Sequence, residues 1–148
     1  MMNTDQSVDI HGTCVSLDGA GMLLCGPSGS GKSDLALRLI DGGAFLVADD
    51  LTRLVRQDDT LFALAPERLA GRIEVRGLGI VAVPHVRRVQ VSLIVDLVAP
   101  ETIDRLPEAQ TRSQLGLAVP LIRLNAFEPS APAKVRLAAR HGGRDSIG

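Results

Sequence analysis

Apolar and polar residues change rhythm several times along the chain, and each change marks an element. Ile10 to Leu17 reads as a strand, and Asp18-Gly19-Ala20-Gly21 separates it from a second apolar run, Met22 to Cys25. Strand, glycine turn, strand is the pattern of a β-hairpin. From Ser33 to Ile40, Leu35, Leu37, Leu39 and Ile40 are mixed with Ala36 and Arg38, which reads as a helix. Asp41-Gly42-Gly43 stops it, because glycine adopts the backbone of a helix end at little cost. Ala44 to Ala48 is an apolar strand that runs into Asp49-Asp50. Leu51 to Arg56 and Thr60 to Ala65 lie either side of the turn Gln57-Asp58-Asp59 and read as a partly exposed antiparallel pair.

Pro66 to Leu69 reads as one helical turn or a loop. Beyond it, Gly71, Gly77 and Gly79 punctuate Ile73, Val75 and the run Ile80 to Val83. That spacing predicts tight backbone geometry rather than a regular element. Val89 to Val98 carries the strongest strand signal, with Asp96 near its end. Pro100 to Pro107 is a break, Thr111 to Gly116 is polar and expected to be mobile, and Val119 to Leu124 is a strand or extended segment. Pro129 and Pro132 start a final helix, Ala133 to Arg140, which Gly142-Gly143 stops. Residues 1–8 read as a loose lead-in and the last residues as frayed.

Strands outnumber helices, and residues 44–98 leave little room for the crossover helices of a doubly wound fold. The expected class is therefore α/β: a mixed, largely antiparallel sheet flanked by helices. A chain of 148 residues is expected to form one domain over residues 1–148, with its core at about 10–140. Sixteen basic and seventeen acidic side chains leave a formal charge of -1, which gives no general argument for nucleic acid or an anionic membrane. No run approaches the roughly 20 apolar residues of a membrane span, and Met1 to Asp9 has no apolar leader core, so a cytoplasmic location is expected. Cys14 and Cys25 sit in separate apolar runs and read as buried thiols in a reducing compartment. With no Trp and no Tyr, only Phe45, Phe62 and Phe127 are aromatic, which leaves little material for stacking on bases.

The chemistry concentrates at Gly26-Pro27-Ser28-Gly29-Ser30-Gly31-Lys32-Ser33, which fits G-x-x-x-x-G-K-[ST] between a strand and a helix, the setting that this phosphate-cradling loop requires. Its glycines bring backbone N–H groups close to phosphate oxygens, and the helix start adds free N–H groups and a positive dipole end. Lys32 supplies a mobile charge for the terminal phosphates of ATP, and the Ser33 hydroxyl is placed to hold Mg2+. Such a loop works with a carboxylate at a neighbouring strand end, and two sites offer one: Asp96, and the pair Asp49-Asp50. Adjacent carboxylates repel, so one of the pair is expected to hold its proton more tightly. His11 opens the strand beside the loop-bearing one. Glu74 and Arg76 share a face if their segment is extended.

Four segments together carry a resemblance: His11-Gly12, Gly26 to Ser33 followed by its helix, Leu46-Val47-Ala48-Asp49-Asp50, and Ile73-Glu74-Val75-Arg76-Gly77-Leu78-Gly79-Ile80. Over roughly residues 10–140 the chain resembles the catalytic domain of bifunctional HPr kinase/phosphorylase, the bacterial enzyme that acts on a serine of the phosphocarrier HPr. The resemblance implies phosphoryl transfer from Mg2+-ATP to an HPr-like carrier, and the reverse attack of phosphate on phosphoserine. It matches Lys32 to the phosphate-binding lysine, Asp49 to the general base and His11 to the histidine beside it. Arg76 matches the arginine near the phosphates. Ser33, Asp50 and Glu74 match the groups that hold metal. Arg105, in Thr102-Ile103-Asp104-Arg105-Leu106, matches an active-site arginine of a flexible loop. The resemblance further implies a hexamer, and a final helix that meets the target through Lys134, Arg136 and Arg140. Departures are Asp34 in place of Glu, an altered Pro84 to Arg88, no glycine-rich turn before the last helix, and no amino-terminal domain. That last feature resembles the short forms of alphaproteobacteria. Two rival readings are a plain triphosphatase or small-molecule kinase using Asp96, and a nucleotide-sensing interaction module without turnover.

Overall fold

The computed structural model describes residues 6–141, in ten strands and two α-helices. In chain order these are β1 (Gln6–Leu17), β2 (Ala20–Cys25), α1 (Lys32–Asp41), β3 (Phe45–Ala48), β4 (Leu51–Gln57), β5 (Thr60–Leu64), β6 (Arg72–Val75), β7 (Gly79–Ala82), β8 (Arg88–Leu97), β9 (Gln110–Gln114), β10 (Leu117–Leu124) and α2 (Ala131–Arg140). The mixed, mostly antiparallel sheet flanked by helices is as expected. Gly142-Gly143, the frayed end and residues 1–5 of the lead-in lie outside the described residues.

Two long strands organise the molecule by passing from one sheet layer into the next. The first half of β1 pairs with β4, Gln6 to His11 against Arg56 to Leu51, and the second half pairs with β2 and β3. Likewise, the start of β8 pairs with β5, its middle runs parallel to β2, and its end runs parallel to β10. The inner layer is buried on both faces, so alternate side chains enter two different cores. Val15, Met22, Leu24, Leu93 and Val95 pack under Leu35 and Leu39 of α1 and Val135 of α2. Their neighbours Cys14, Leu23 and Ile94 point the other way, onto Leu54, Leu61 and Ala63 of the outer layer. Two-sided burial explains why β2 and the stretch Leu93 to Val95 of β8 read as continuous apolar runs, whereas the start of β8, from Arg88 to Ser92, alternates. Truncating one of these side chains, such as Leu93→Ala, is expected to cost about 2–5 kcal/mol.

Four sequence expectations need correction. Residues 6–8 are not a lead-in but the outer start of β1, held by backbone pairing to β4. The glycine-punctuated stretch is a regular hairpin, β6 against β7, with Arg72 to Val75 opposite Ala82 to Gly79. Thr111 to Gly116 is not a mobile segment, since Gln110–Gln114 forms an edge strand on β10. The final helix starts at Ala131 rather than Ala133. The helices anchor each other and the sheet: Arg38 of α1 donates to the Ala126 and Glu128 carbonyls ahead of α2, and Arg136 of α2 donates to Leu39 O. Among the described residues no helix is long and apolar enough to cross a membrane. Both cysteines are free thiols, Cys14 fully buried and Cys25 partly so, and burial pushes both thiols up from their ordinary range.

Candidate active site

β2 ends at Cys25 and the chain turns at once through Gly26 to Gly31 before α1 begins. Gly29 and Gly31 have φ of 84° and 95°, in the left-handed region that favours glycine. Gly31 is further constrained by space: a Cβ there would lie 2.8 Å from the Ala126 Cβ and 3.2 Å from the Phe127 ring. The helix takes no side-chain cap, so the N–H groups of its first turn remain directed at the loop. Lys32 is almost fully buried, and its ammonium reaches over the loop to the Gly26 and Pro27 carbonyls at 2.7 and 3.1 Å. The Ser30 hydroxyl is buried in the same loop without a protein partner. A loop that offers backbone N–H groups, a lysine and an unpaired hydroxyl suits a polyphosphate.

The acids arrive from a different part of the chain. Ser33 Oγ donates to Asp49 Oδ1 at 2.7 Å, Thr13 Oγ1 donates to the same oxygen at 3.2 Å, and the Glu74 N–H donates to Asp49 Oδ2 at 3.1 Å. Asp49 therefore ties the phosphate loop, β1 and the β6–β7 hairpin together. Its neighbour Asp50 sits at the apex of a three-residue turn closed by Leu51 N–H on Asp49 O at 2.7 Å, with φ of 67°. Positive φ at a non-glycine residue is strained, although Asp tolerates it better than most. Two bonds from β1 hold the turn there: Gly12 N–H to Asp50 O at 3.0 Å, and Asp50 N–H to Thr13 Oγ1 at 3.2 Å. Unlike Asp49, Asp50 points an exposed carboxylate along the cleft wall.

The cleft these elements enclose has a volume of about 890 Å³, ample for a nucleoside triphosphate. It brings together His11, Lys32, Ser33, Asp49, Asp50, Glu74 and Arg76, together with Gly26 to Gly29, Gly31, Asp34, Leu37, Val75 and Phe127. Four carboxylates line the cleft against Lys32 and Arg76, with Asp34 paired to Arg38, a balance that suits a polyphosphate accompanied by a divalent cation. The oxygens of Ser33, Asp49, Asp50 and Glu74 are the hard donors that suit Mg2+. Among the described residues no group of three His, Cys, Asp or Glu side chains could hold a metal ion by itself.

Two expected participants lie elsewhere. Asp96, in register with Cys25 on β8, is half-buried and bonded to Arg112 at 3.1 Å, with Arg123 at 3.9 Å, and it does not line the cleft. Arg105 is exposed on the segment before β9 and does not line the cleft either. Lys134 pairs with Glu128 at 3.0 Å. Sequence reasoning missed Thr13. The available signal was a hydroxyl two residues after His11, on the same strand face. A second cleft, about 450 Å³, opens at the far end of β1 beside Phe45, Phe62 and Arg88, away from the phosphate loop.

Comparison with known proteins bears on this geometry. The family model described as HPr Serine kinase C-terminal domain matches residues 3–135. The chain belongs to this family. The domain is similar to the HPr kinase/phosphorylase of Acidovorax sp. (strain JS42), 40% identical over 123 residues, which are 74% of this chain and 39% of that protein. It is similar also to the HPr kinase/phosphorylase of Geobacillus thermodenitrificans (strain NG80-2), 41% identical over 99 residues, covering 60% and 31% respectively. The chain thus spans well under half the length of these curated relatives. Among solved structures, the Hpr(Ser) kinase/phosphatase from Coxiella burnetii superimposes with a TM-score of 0.81 at 32% identity, over 90% of this chain and 89% of that one. The HPr kinase catalytic-domain fold is therefore that of this chain.

Proposed function

We propose that this domain transfers the γ-phosphoryl group of ATP to a serine of an HPr-like phosphocarrier protein, and also catalyses the reverse attack of phosphate on the phosphoserine. The observation that carries this reading is Asp49, which joins the phosphate-loop Ser33 to the backbone of Glu74. That link connects a general nucleotide motif to the hairpin shared with the family.

The loop N–H groups and Lys32 hold the phosphates, and Arg76 offsets charge that develops on the transferred group. Ser33, Asp49 and Glu74 lie where Mg2+ would be held, with Asp50 at the edge of the set. Bound Mg2+ neutralises phosphate charge and orients the terminal phosphate. The resemblance assigned proton transfer to Asp49 and metal to Asp50, while the hydrogen bonding favours the exchange. Asp49 already accepts three hydrogen bonds, which fix its carboxylate and occupy its oxygens. Asp50, beside His11 on the cleft wall, is free to take the proton of the incoming hydroxyl. The serine oxygen then bonds to the γ-phosphorus as the bond to the ADP oxygen breaks. Arg105 and the exposed face of α2 around Arg140 are the proposed carrier contacts. A hexamer, a cytoplasmic location and an alphaproteobacterial origin belong to the same proposal. Sizing by light scattering tests the first.

The experiment is incubation with labelled ATP, Mg2+ and candidate HPr-like carriers, comparing wild type with Asp50→Asn and Asp96→Asn. Label on a carrier serine that disappears with Asp50→Asn and persists with Asp96→Asn supports the proposal. Hydrolysis without any labelled carrier points to a plain triphosphatase, and binding without turnover to a sensing module.

A further inference from the structure

Phe127 is one of three aromatic side chains in the chain, yet it is 64% exposed, and it lines the phosphate cleft. Single exposed apolar side chains are ordinary on a protein surface, so the informative fact is the place of this one, an aromatic ring on the wall of the phosphate cleft. The Phe127 ring edge lies against Gly31, where a Cβ would come within 3.2 Å of it. The ring is thus one residue from the phosphate-binding lysine. Its position is also fixed. Phe127 N–H donates to Asn125 Oδ1 at 3.1 Å, and Arg38 donates to the carbonyls on both sides, Ala126 and Glu128.

The first turn of α1 divides the cleft into two flanks. Ser33 faces Asp49 and the β6–β7 hairpin, where every metal-binding and proton-accepting candidate gathers. One residue further around the helix, Asp34 is paired with Arg38 at 2.9 Å, and Arg38 faces the β10–α2 loop that carries Phe127. Reacting chemistry thus lies on one flank and an exposed aromatic on the other. The β10–α2 loop also follows the carboxyl end of β10, in the parallel group β2, β8 and β10, the side of such a sheet on which ligands settle.

We propose that Phe127 is the stacking platform for the purine base of the nucleotide donor, with the triphosphate lying across the loop from Phe127 to Asp50. The proposal rests on the reading of this cleft as an ATP site. Stacking is tolerant of base identity because every base presents a π-face. ATP and GTP are therefore expected to bind with affinities within about five-fold of each other, the size of a weak edge contact.

The test compares a donor that has a base with one that has none. Wild type, Phe127→Ala and Phe127→Trp are titrated with Mg2+-ATP, Mg2+-GTP and Mg2+-tripolyphosphate, with far-UV circular dichroism confirming the fold. Phe127→Ala is expected to weaken both nucleotides about 10- to 100-fold and to leave tripolyphosphate within about two-fold. Phe127→Trp introduces the chain's only tryptophan. Its fluorescence should be quenched by ATP and GTP and left unchanged by tripolyphosphate. Equal weakening of all three ligands by Phe127→Ala, or quenching by none of them in Phe127→Trp, overturns the platform alone. A wild-type protein that binds neither nucleotide nor tripolyphosphate overturns the ATP-site reading and the platform with it.

Discussion

Ser33 and Asp49 stand sixteen residues apart in the chain and 2.7 Å apart at their oxygens. The contact underlies the different tasks proposed for the two neighbouring acids. Asn in place of Asp49 offers one acceptor oxygen to three donors and turns an N–H group against one of them. We expect Asp49→Asn to weaken Mg2+-dependent nucleotide binding about 10- to 100-fold, the usual loss when a group that orients a metal site is removed. Asp50→Asn should lower the transfer rate about 10²- to 10⁴-fold while the nucleotide Kd changes little. Calorimetric titration and single-turnover transfer on both variants separate the two. The opposite pattern returns the proton to Asp49.

Thr13 should act through position alone. It is fully buried, donates to Asp49 and accepts from the Asp50 N–H. Thr13→Val keeps the shape and removes both bonds, leaving a backbone donor unpaired at a cost of about 1–3 kcal/mol. The melting temperature should fall by several degrees and kcat should drop with KM for ATP nearly constant. Thr13→Ser, which restores the hydroxyl, should recover most of kcat. Loss of stability without loss of kcat would show that the network serves folding only.

The Asp50 turn predicts a conflict between stability and activity. Glycine accepts a φ of 67° without the penalty that a side chain pays. Asp50→Gly should therefore raise stability by about 0.5–1 kcal/mol and abolish transfer. Urea unfolding and a transfer assay on one preparation decide it, and a destabilised Asp50→Gly would show that the carboxylate itself supports the fold.

Alkaline pH should unfold the protein through its thiols. Burial raises the folded-state values of Cys14 and Cys25, so the unfolded chain loses thiol protons first as pH rises. Stability is full below the unfolded thiol range and falls from about pH 8.5 upward, by up to about 1.4 kcal/mol per pH unit for each thiol. The chain has no tyrosine to blur this range. Urea midpoints at pH 7.5 and 9.5 should therefore diverge, and the gap should narrow in Cys14→Ala/Cys25→Ala. An unchanged gap would assign the effect to other groups.

The parts legible in the sequence are those where local chemistry and burial agree. Asp18-Gly19 turns the β1–β2 hairpin, and Asp18 itself takes a φ of 51°. The runs Met22 to Cys25 and Leu93 to Val95 are apolar throughout because both faces are covered. Legibility fails where backbone pairing acts without burial. In β9 the residues Gln110–Gln114 are polar and mostly exposed, paired through the backbone as an edge strand on β10. The β6–β7 hairpin buries only Ile73, so its glycines outweighed a pattern one residue deep. At the site, the loop and the acids were readable as types. The division of labour proposed for them was not, because it rests on which carboxylate a serine, a threonine and a backbone N–H reach.

The pairing of β2 with β8 also sets an order of events during folding. Gly21 to Cys25 lie beside Val91 to Asp96, about seventy residues later, with β10 following beyond them. A nascent chain that has reached only residue 87 already contains the whole phosphate motif, yet lacks the strand that buries one side of it. Joining parallel strands across so long a loop is slow, because chain entropy is lost before contacts compensate. Nucleotide affinity should thus emerge late in refolding, after the β1–β2 and β4–β5 hairpins have formed. Until then Leu23 and Leu24 present an open, adhesive edge that a chaperone has reason to cover.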